Sequence, residues 1–331
     1  MHIPDGYLSP ASAGTLYALA APFWYLASRK TQQLLSGKLI PSMALLSAFC
    51  FVIQMLNIPL PGGTTGHAIG ASLAAIVLSP WPAVLAVSMA LVIQALFFGD
   101  GGITTIGANC FNMAIIQVFT TFFVYTAISA RSLRGKVFAA AVAGYLASNT
   151  AALAAGFELG LQPLMASDTS GTPLYSPYPL SVAIPAMVGG HLIAGFAEAV
   201  VTGAGIGFLQ RSAPELLSGS SSPLLPVFWA RLRLIWIVVA GLIILTPLGL
   251  LAPGTAWGEW SSEQFRDLGL GFVPRGMQKW ESLWSAAFTD YSIPGLGERT
   301  GYVVSAFLGV LLILIGFSVL TLLGKRSAKQ S

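Results

Sequence analysis

The residues with the clearest capacity for chemistry stand at the start of the chain: Met1, His2, Ile3, Pro4, Asp5, Gly6 and Tyr7. A free α-amine titrates at about 7.7 to 8.0 and an imidazole at about 6.5, so both offer neutral nitrogen near pH 7. With His at the second position, the amine, the His2 backbone nitrogen and the His2 imidazole can wrap one ion in adjoining chelate rings. Such donors in a square plane suit Ni(II) or Cu(II) and could also serve cobalt. A fourth ligand is needed, and the run Pro59 to His67, with Gly62, Gly63 and Gly66, offers His67. Its glycines allow close backbone approach, while Pro4 and Gly6 could fold the first residues back as a lid. There are plainer readings: a His after Met is ordinarily part of a loose terminus, and a His at a helix start ordinarily a cap. The residues alone leave both open.

The elements that must position these donors are helices in a bilayer. Of 331 residues, 55% are hydrophobic and 8% charged, with mean hydropathy +0.76, which excludes an ordinary soluble domain. The net charge of +4 is spread in short clusters between apolar runs with no basic stripe, so no nucleic-acid partner is expected. Membrane lipid is the expected solvent. A hydrocarbon core of about 30 Å needs roughly 20 apolar residues per helix, and the punctuation predicts spans at 11–28, 39–58, 67–78, 81–98, 106–130, 137–158, 181–209, 232–251 and 301–323. The fold class is therefore an all-α polytopic bundle of about seven helices plus two more at the C-terminus. The span at 67–78 is short enough to be a half-inserted helix lining the interior. Cys50 and Cys110 lie in apolar runs, where no disulfide is expected. The first ten residues lack the cationic region of a signal peptide, so the α-amine of Met1 is expected to remain.

Loop charges orient this map. Arg29, Lys30 and Lys38 share one side with Arg131, Arg134, Lys136, Arg211, Arg231, Arg233, Lys325, Arg326 and Lys329, whereas the short loops opposite carry neither Lys nor Arg. The N-terminus is expected outside and the C-terminus in the cytoplasm, in the inner (plasma) membrane. Three regions follow: a bundle at 1–210, a Ser- and Pro-rich cytoplasmic linker at 211–231, and at 232–331 two helices enclosing a long external loop.

Ionisable groups within the membrane are costly and read by default as functional. His191 and Glu198 stand seven residues apart, on one helical face; they could couple metal occupancy to a partner or join helices by hydrogen bonds, and the second role needs fewer assumptions. Asp100 and Asn109, near a Gly-rich turn, are candidates to orient a metal-bound imidazole, as are Thr64 and Thr65. Gln54 and Asn57, one turn apart, are expected to satisfy each other or nearby backbone. The pairs Gly14/Ala18 and Gly70/Ala74 read as small-residue helix contacts.

Four stretches carry a family resemblance: MHIPDGYLSP at Met1–Pro10, PGGTTGHAIGA at Pro61–Ala71, QALFFGDGGITTIGANCFNM at Gln94–Met113 and HLIAGFAEAVVT at His191–Thr202. They resemble the CbiM/NikM substrate-binding component of cobalt and nickel transporters of the energy-coupling factor type. The resemblance implies the N-terminal amine, His2 and His67 as metal ligands and nickel or cobalt as cargo, with no cofactor of the chain's own. It also implies a transmembrane coupling subunit (CbiQ/NikQ-like) and ATPase subunits (CbiO/NikO-like) that use the ATP; this chain has no GxxxxGK[ST] run. The last two spans resemble, by architecture, a fused NikN/CbiN-like unit. A competing function is a proton-coupled secondary metal transporter using His191 and Glu198. A membrane metal enzyme is weaker, since no HExxH occurs.

Overall fold

The computed structural model describes residues 1–33, 39–214, 217, 225–269 and 271–327. Lys38, Lys329 and most of the expected linker lie outside the described residues, as do the side chains of Arg231, Lys325 and Arg326.

The chain folds as a polytopic helical bundle. In chain order it runs α1 (Pro10–Gln33), α2 (Leu39–Gln54), a hairpin of β1 (Ile58–Leu60) and β2 (Thr64–Gly66), α3 (Ala71–Leu78), α4 (Pro80–Ile93), α5 (Ile106–Asn109), α6 (Gln117–Ile128), α7 (Leu133–Gly160), α8 (Gln162–Met165), α9 (Leu180–Ser212), α10 (Leu225–Leu245), α11 (Ser262–Asp267), α12 (Arg275–Trp280) and α13 (Glu298–Ser327). Among the described residues, six helical segments are long and apolar enough to cross a membrane: 80–98, 106–128, 133–165, 180–212, 232–251 and 298–322. α1 is long but less apolar, and α2 has only 16 residues, twelve of them buried.

Two boundaries near the site differ from the sequence reading. α2 stops at Gln54 rather than near 58, and Ile58 opens a hairpin in which it pairs with Gly66. Two three-residue strands are too short for alternation to reveal. The third span begins at Ala71 rather than His67, because Gly70 has φ +77°, a left-handed conformation that cannot continue a helix. Eight residues rise only about 12 Å, so α3 does not cross; it ends at Ser79, with φ +68°, and Pro80 then starts α4 at its first turn.

Small residues set the closest helix approach, though not at the pairs expected. Gly14 faces open space, and Gly70 lies outside α3. α7 and α9 instead meet through glycines: a Cβ on Gly144 would sit 2.8 Å from Thr202 Oγ1, and one on Gly160 2.8 Å from the Leu180 backbone. The C-terminal helices pack on α2 in the same way. A Cβ on Gly309 would lie 2.1 Å from the Phe51 ring, and Tyr302 Oη donates to Met55 O at 3.1 Å.

Both ends of the Cys110–Ile116 stretch are continuous with α5 and α6, but the stretch itself is π-helical, as is Gln94–Phe98 at the end of α4. Such widened turns recur at functional sites. Here they flank the turn that carries Asp100.

Candidate metal centre

The first nine residues are not loose. Met1, His2 and Ile3 are 4%, 3% and 0% exposed, and each is tied to a different part of the chain. Ile3 N donates to Asn109 Oδ1 at 2.8 Å; Ile3 O accepts from Asn109 Nδ2 at 3.1 Å, from Gly102 N at 3.0 Å and from the Thr105 hydroxyl. Asp5 accepts from Ile103 N and Thr104 N at 3.0 and 2.7 Å, and Ser9 N donates to Gln162 Oε1 at 2.9 Å. Gly6 at φ +85° makes the turn, where any Cβ would meet the Met277 backbone at 2.7 Å. The expected lid is a strap inserted into the end of the bundle and tied down by hydrogen bonds at Ile3, Asp5, Tyr7 and Ser9.

That strap sets His2 against His67, with ring centroids 5.5 Å apart at 56°. With metal–nitrogen bonds of about 2.0 Å, two imidazoles on one ion have centroids roughly 4.5 Å apart when adjacent and roughly 6.3 Å when opposite, so the observed spacing falls in the usable window. Hydrogen bonds also fix which nitrogens are free. His67 Nδ1 donates to Ala68 O at 3.2 Å, leaving Nε2 its lone pair. Gln54 Nε2 donates to Cys50 O at 2.9 Å, so Oε1 is the atom that accepts from His2 Nε2 at 2.9 Å. His2 Nδ1, the nitrogen closer to the main chain and able to close a chelate ring, faces Asp100 Oδ1 at 3.1 Å. Partners of this kind orient metal-bound imidazoles.

Charge at the site is balanced on two sides. The Met1 ammonium pairs with Glu259 Oε1 at 3.0 Å. Asp100 Oδ2 accepts from Tyr291 Oη at 2.5 Å and from Gln94 Nε2 at 3.3 Å, which leaves Oδ1 to His2. Burial, then the nearby positive Met1 terminus and His2, hold the His67 imidazole well below the usual histidine range, hence neutral and able to bind a cation.

Other residues expected at the site fall elsewhere. Thr64 Oγ1 donates to Pro61 O at 3.3 Å, and Thr65 pairs through its backbone with Pro59 and bridges Ala256; neither bonds to a histidine among the described residues. Asn112 Nδ2 turns away to Glu158 Oε2 at 2.8 Å. Glu198 acts one layer behind His67: its carboxylate accepts from Ile69 N at 2.6 Å, Gly70 N at 2.9 Å, Ser72 N at 3.2 Å and Gln117 Nε2 at 3.0 Å. It thereby caps the start of α3, where a negative charge is favoured, and pins the loop that carries His67. His191 donates from Nδ1 to Met187 O at 2.8 Å and does not touch Glu198.

Sequence reasoning gave Gln54, Glu259, Tyr291 and Asp5 no role at the site. Gln54 is expected to satisfy Asn57 or nearby backbone; α2 ends before Asn57, and the amide donates to Cys50 O instead. Glu259 and Tyr291 come from the long C-terminal loop, whose spatial partners no local pattern shows. Among the described residues no three His, Cys, Asp or Glu side chains cluster as a metal site, so any site here depends on main-chain nitrogen at Met1 and His2.

Residues 2–216 match the family described as the cobalt uptake substrate-specific transmembrane region, CbiM, and residues 231–326 match the PDGLE domain. The chain is 47% identical to a fused nickel transport protein NikMN of Rhodobacter capsulatus, covering 96% of each, and 42% identical to a probable fused nickel transport protein LarMN of Lactiplantibacillus plantarum, covering 95% of this chain and 96% of that one. A cobalt transport protein CbiM of Geobacter sulfurreducens is 34% identical over 66% of this chain and 62% of its own length. The crystal structure of a truncated transition metal transporter superposes with a TM-score of 0.60 at 50% identity, covering 64% of this chain and 99% of that one. The chain therefore belongs to the CbiM family of cobalt and nickel transport components, joined to a PDGLE domain.

Proposed function

We propose that this chain captures one Ni2+ or Co2+ ion at the outer face of the plasma membrane and hands it to an ATP-driven importer. The ligands are the Met1 amine, the His2 backbone nitrogen, His2 Nδ1 and His67 Nε2. The observation that carries this reading is the convergence of a buried N-terminus with two imidazoles, His2 and His67, at 5.5 Å. Binding needs the Met1 amine, the His2 backbone nitrogen and His2 Nδ1 free of protons, which leave to solvent, and Asp100 drawn back from the 3.1 Å it keeps from Nδ1. Asp100 and Glu259 then offset its charge, since a buried charge is tolerated only when paired. Asn109, Thr105 and Gln54 fix the strap and the ring orientation. Residues 1–210 form the capture bundle, 211–231 a linker and 232–331 an accessory two-helix unit, with the N-terminus outside and the C-terminus in the cytoplasm. Energy comes from ATPase subunits acting through a transmembrane coupling subunit.

Nickel titration of the full chain tests this directly. His67→Ala and His2→Ala each remove one ligand nitrogen and are expected to weaken binding at least about 100-fold, roughly 2.7 kcal/mol. Unchanged affinity in either variant would sink the assignment.

A further inference from the structure

A third histidine stands beside the same site. A cavity of about 470 Å³ lies between the β1–β2 hairpin, the first turns of α9 and the loop after α10, and its lining includes Met1, Thr64, Pro185, His191, Trp257 and Trp260. Met1 connects it to the metal centre, because the amine beyond is a ligand in the reading above, on which this inference rests. The chemistry of the wall is sparse. Two indole rings, Trp257 and Trp260, stand 5.9 Å apart, and Thr64 contributes a hydroxyl already donated to Pro61. His191 is the one imidazole lining the cavity. Its Nδ1–H is committed to Met187 O, which fixes the tautomer and leaves the Nε2 lone pair free. Nε2 has no hydrogen-bond partner among the described residues, and the residue is half-buried at the cavity wall.

We propose that this cavity is an antechamber in which His191 Nε2 binds an incoming divalent transition cation, still carrying most of its water, before it passes to Met1, His2 and His67. Size permits it: an ion with six waters at about 30 Å³ each needs roughly 180 Å³, well inside the cavity. Imidazole suits nickel, cobalt and copper, whereas magnesium and calcium prefer oxygen, so exchange of one water for Nε2 holds the first group and not the second. A single imidazole holds an ion weakly, and the chelating set beyond it holds one tightly. The ion therefore moves inward, and His191 governs how fast the site fills rather than how tightly it holds.

The test uses the full chain with its native N-terminus. Nickel loading is followed by stopped flow in the wild type, in His191→Gln and in Gly189→Trp, a cavity-lining position where an added side chain meets open space. Both variants are expected to load at least about five-fold more slowly while final affinity stays within about two-fold. In a His2→Ala, His67→Ala background, where His191 is the one remaining histidine, Cu2+ alone is expected to show a weak imidazole-nitrogen signal by electron paramagnetic resonance that His191→Gln abolishes. Loading of His191→Gln at the wild-type rate overturns the antechamber, as does a parallel fall in rate and affinity, which would mark His191 as structural. A wild-type chain that takes up no nickel overturns the metal centre and the antechamber together, whereas a wild type that binds while His191→Gln loads normally removes only the second.

Discussion

Glu198→Gln separates a residue that holds the metal loop from one that moves protons. The carboxylate receives four N–H groups, two on each oxygen: Ile69 N and Gly70 N on Oε2, Ser72 N and Gln117 Nε2 on Oε1. An amide keeps one acceptor oxygen and turns an NH2 toward two donors that cannot accept. Two hydrogen bonds to a charged acceptor, at roughly 1.5 kcal/mol each at the low end, put the loss at about 3 kcal/mol. If the NH2 faces Ile69 and Gly70, the loop carrying His67 is freed and must be ordered again when metal binds. Fixing two backbones at roughly 1 kcal/mol each weakens nickel binding by roughly 2 kcal/mol, or about 30-fold. Thermal unfolding and nickel titration of the purified full chain measure both quantities. Glu198→Gln with unchanged unfolding temperature and unchanged nickel affinity would refute the claim that this side chain positions His67.

Three further outcomes follow from the same geometry. Gly102→Ala places a methyl 2.3 Å from Asp5 N, so the strap must shift; a loss of about 2 kcal/mol or more and weaker nickel binding are expected, and a variant with full stability and affinity would show that the strap has slack. Tyr7→Phe deletes the 2.7 Å bond from Tyr7 Oη to Trp260 O and should lower stability by about 1 kcal/mol, read as a small drop in unfolding temperature; no drop would mean that this tie to the C-terminal loop is idle. In metal-free protein, His67 has a folded pKa below its unfolded one, so its neutral form contributes fully above about pH 6.5 and that contribution is lost as pH falls below it. Between pH 8 and pH 5.5 the wild type should lose more stability than His67→Gln, with an added slope of up to about 1.4 kcal/mol per pH unit, and parallel profiles would contradict it.

The helical class and six of the nine expected spans were legible because lipid exposure demands apolar runs of a set length, and α7, α9, α10 and α13 carry them. The local starts and stops were less so. The Gly70 backbone conformation places His67 in a loop, and nothing in the residue letters distinguishes a glycine used for left-handed φ from one used for helix packing. Asp100 and Asn109 were found because they stand beside a Gly-rich turn in a motif. Gln54 was within view as a group satisfied by nearby backbone, and its amide does donate to Cys50 O on its own helix, but its oxygen also reaches across to His2, which no local pattern shows. Glu259 and Tyr291 reach the site from more than 180 residues away, and only the packed structure brings them there.

The most direct measurement compares nickel bound per chain, by metal analysis and titration, for the protein beginning at Met1 and for one with four residues, Gly-Ser-Gly-Ser, added before it. Met1 is buried and its amine lies 3.0 Å from Glu259, so the added residues take the α-amine out of the chelate. One tightly held ion in the native chain and none in the extended chain is the predicted result; equal binding by both would contradict the metal centre described here.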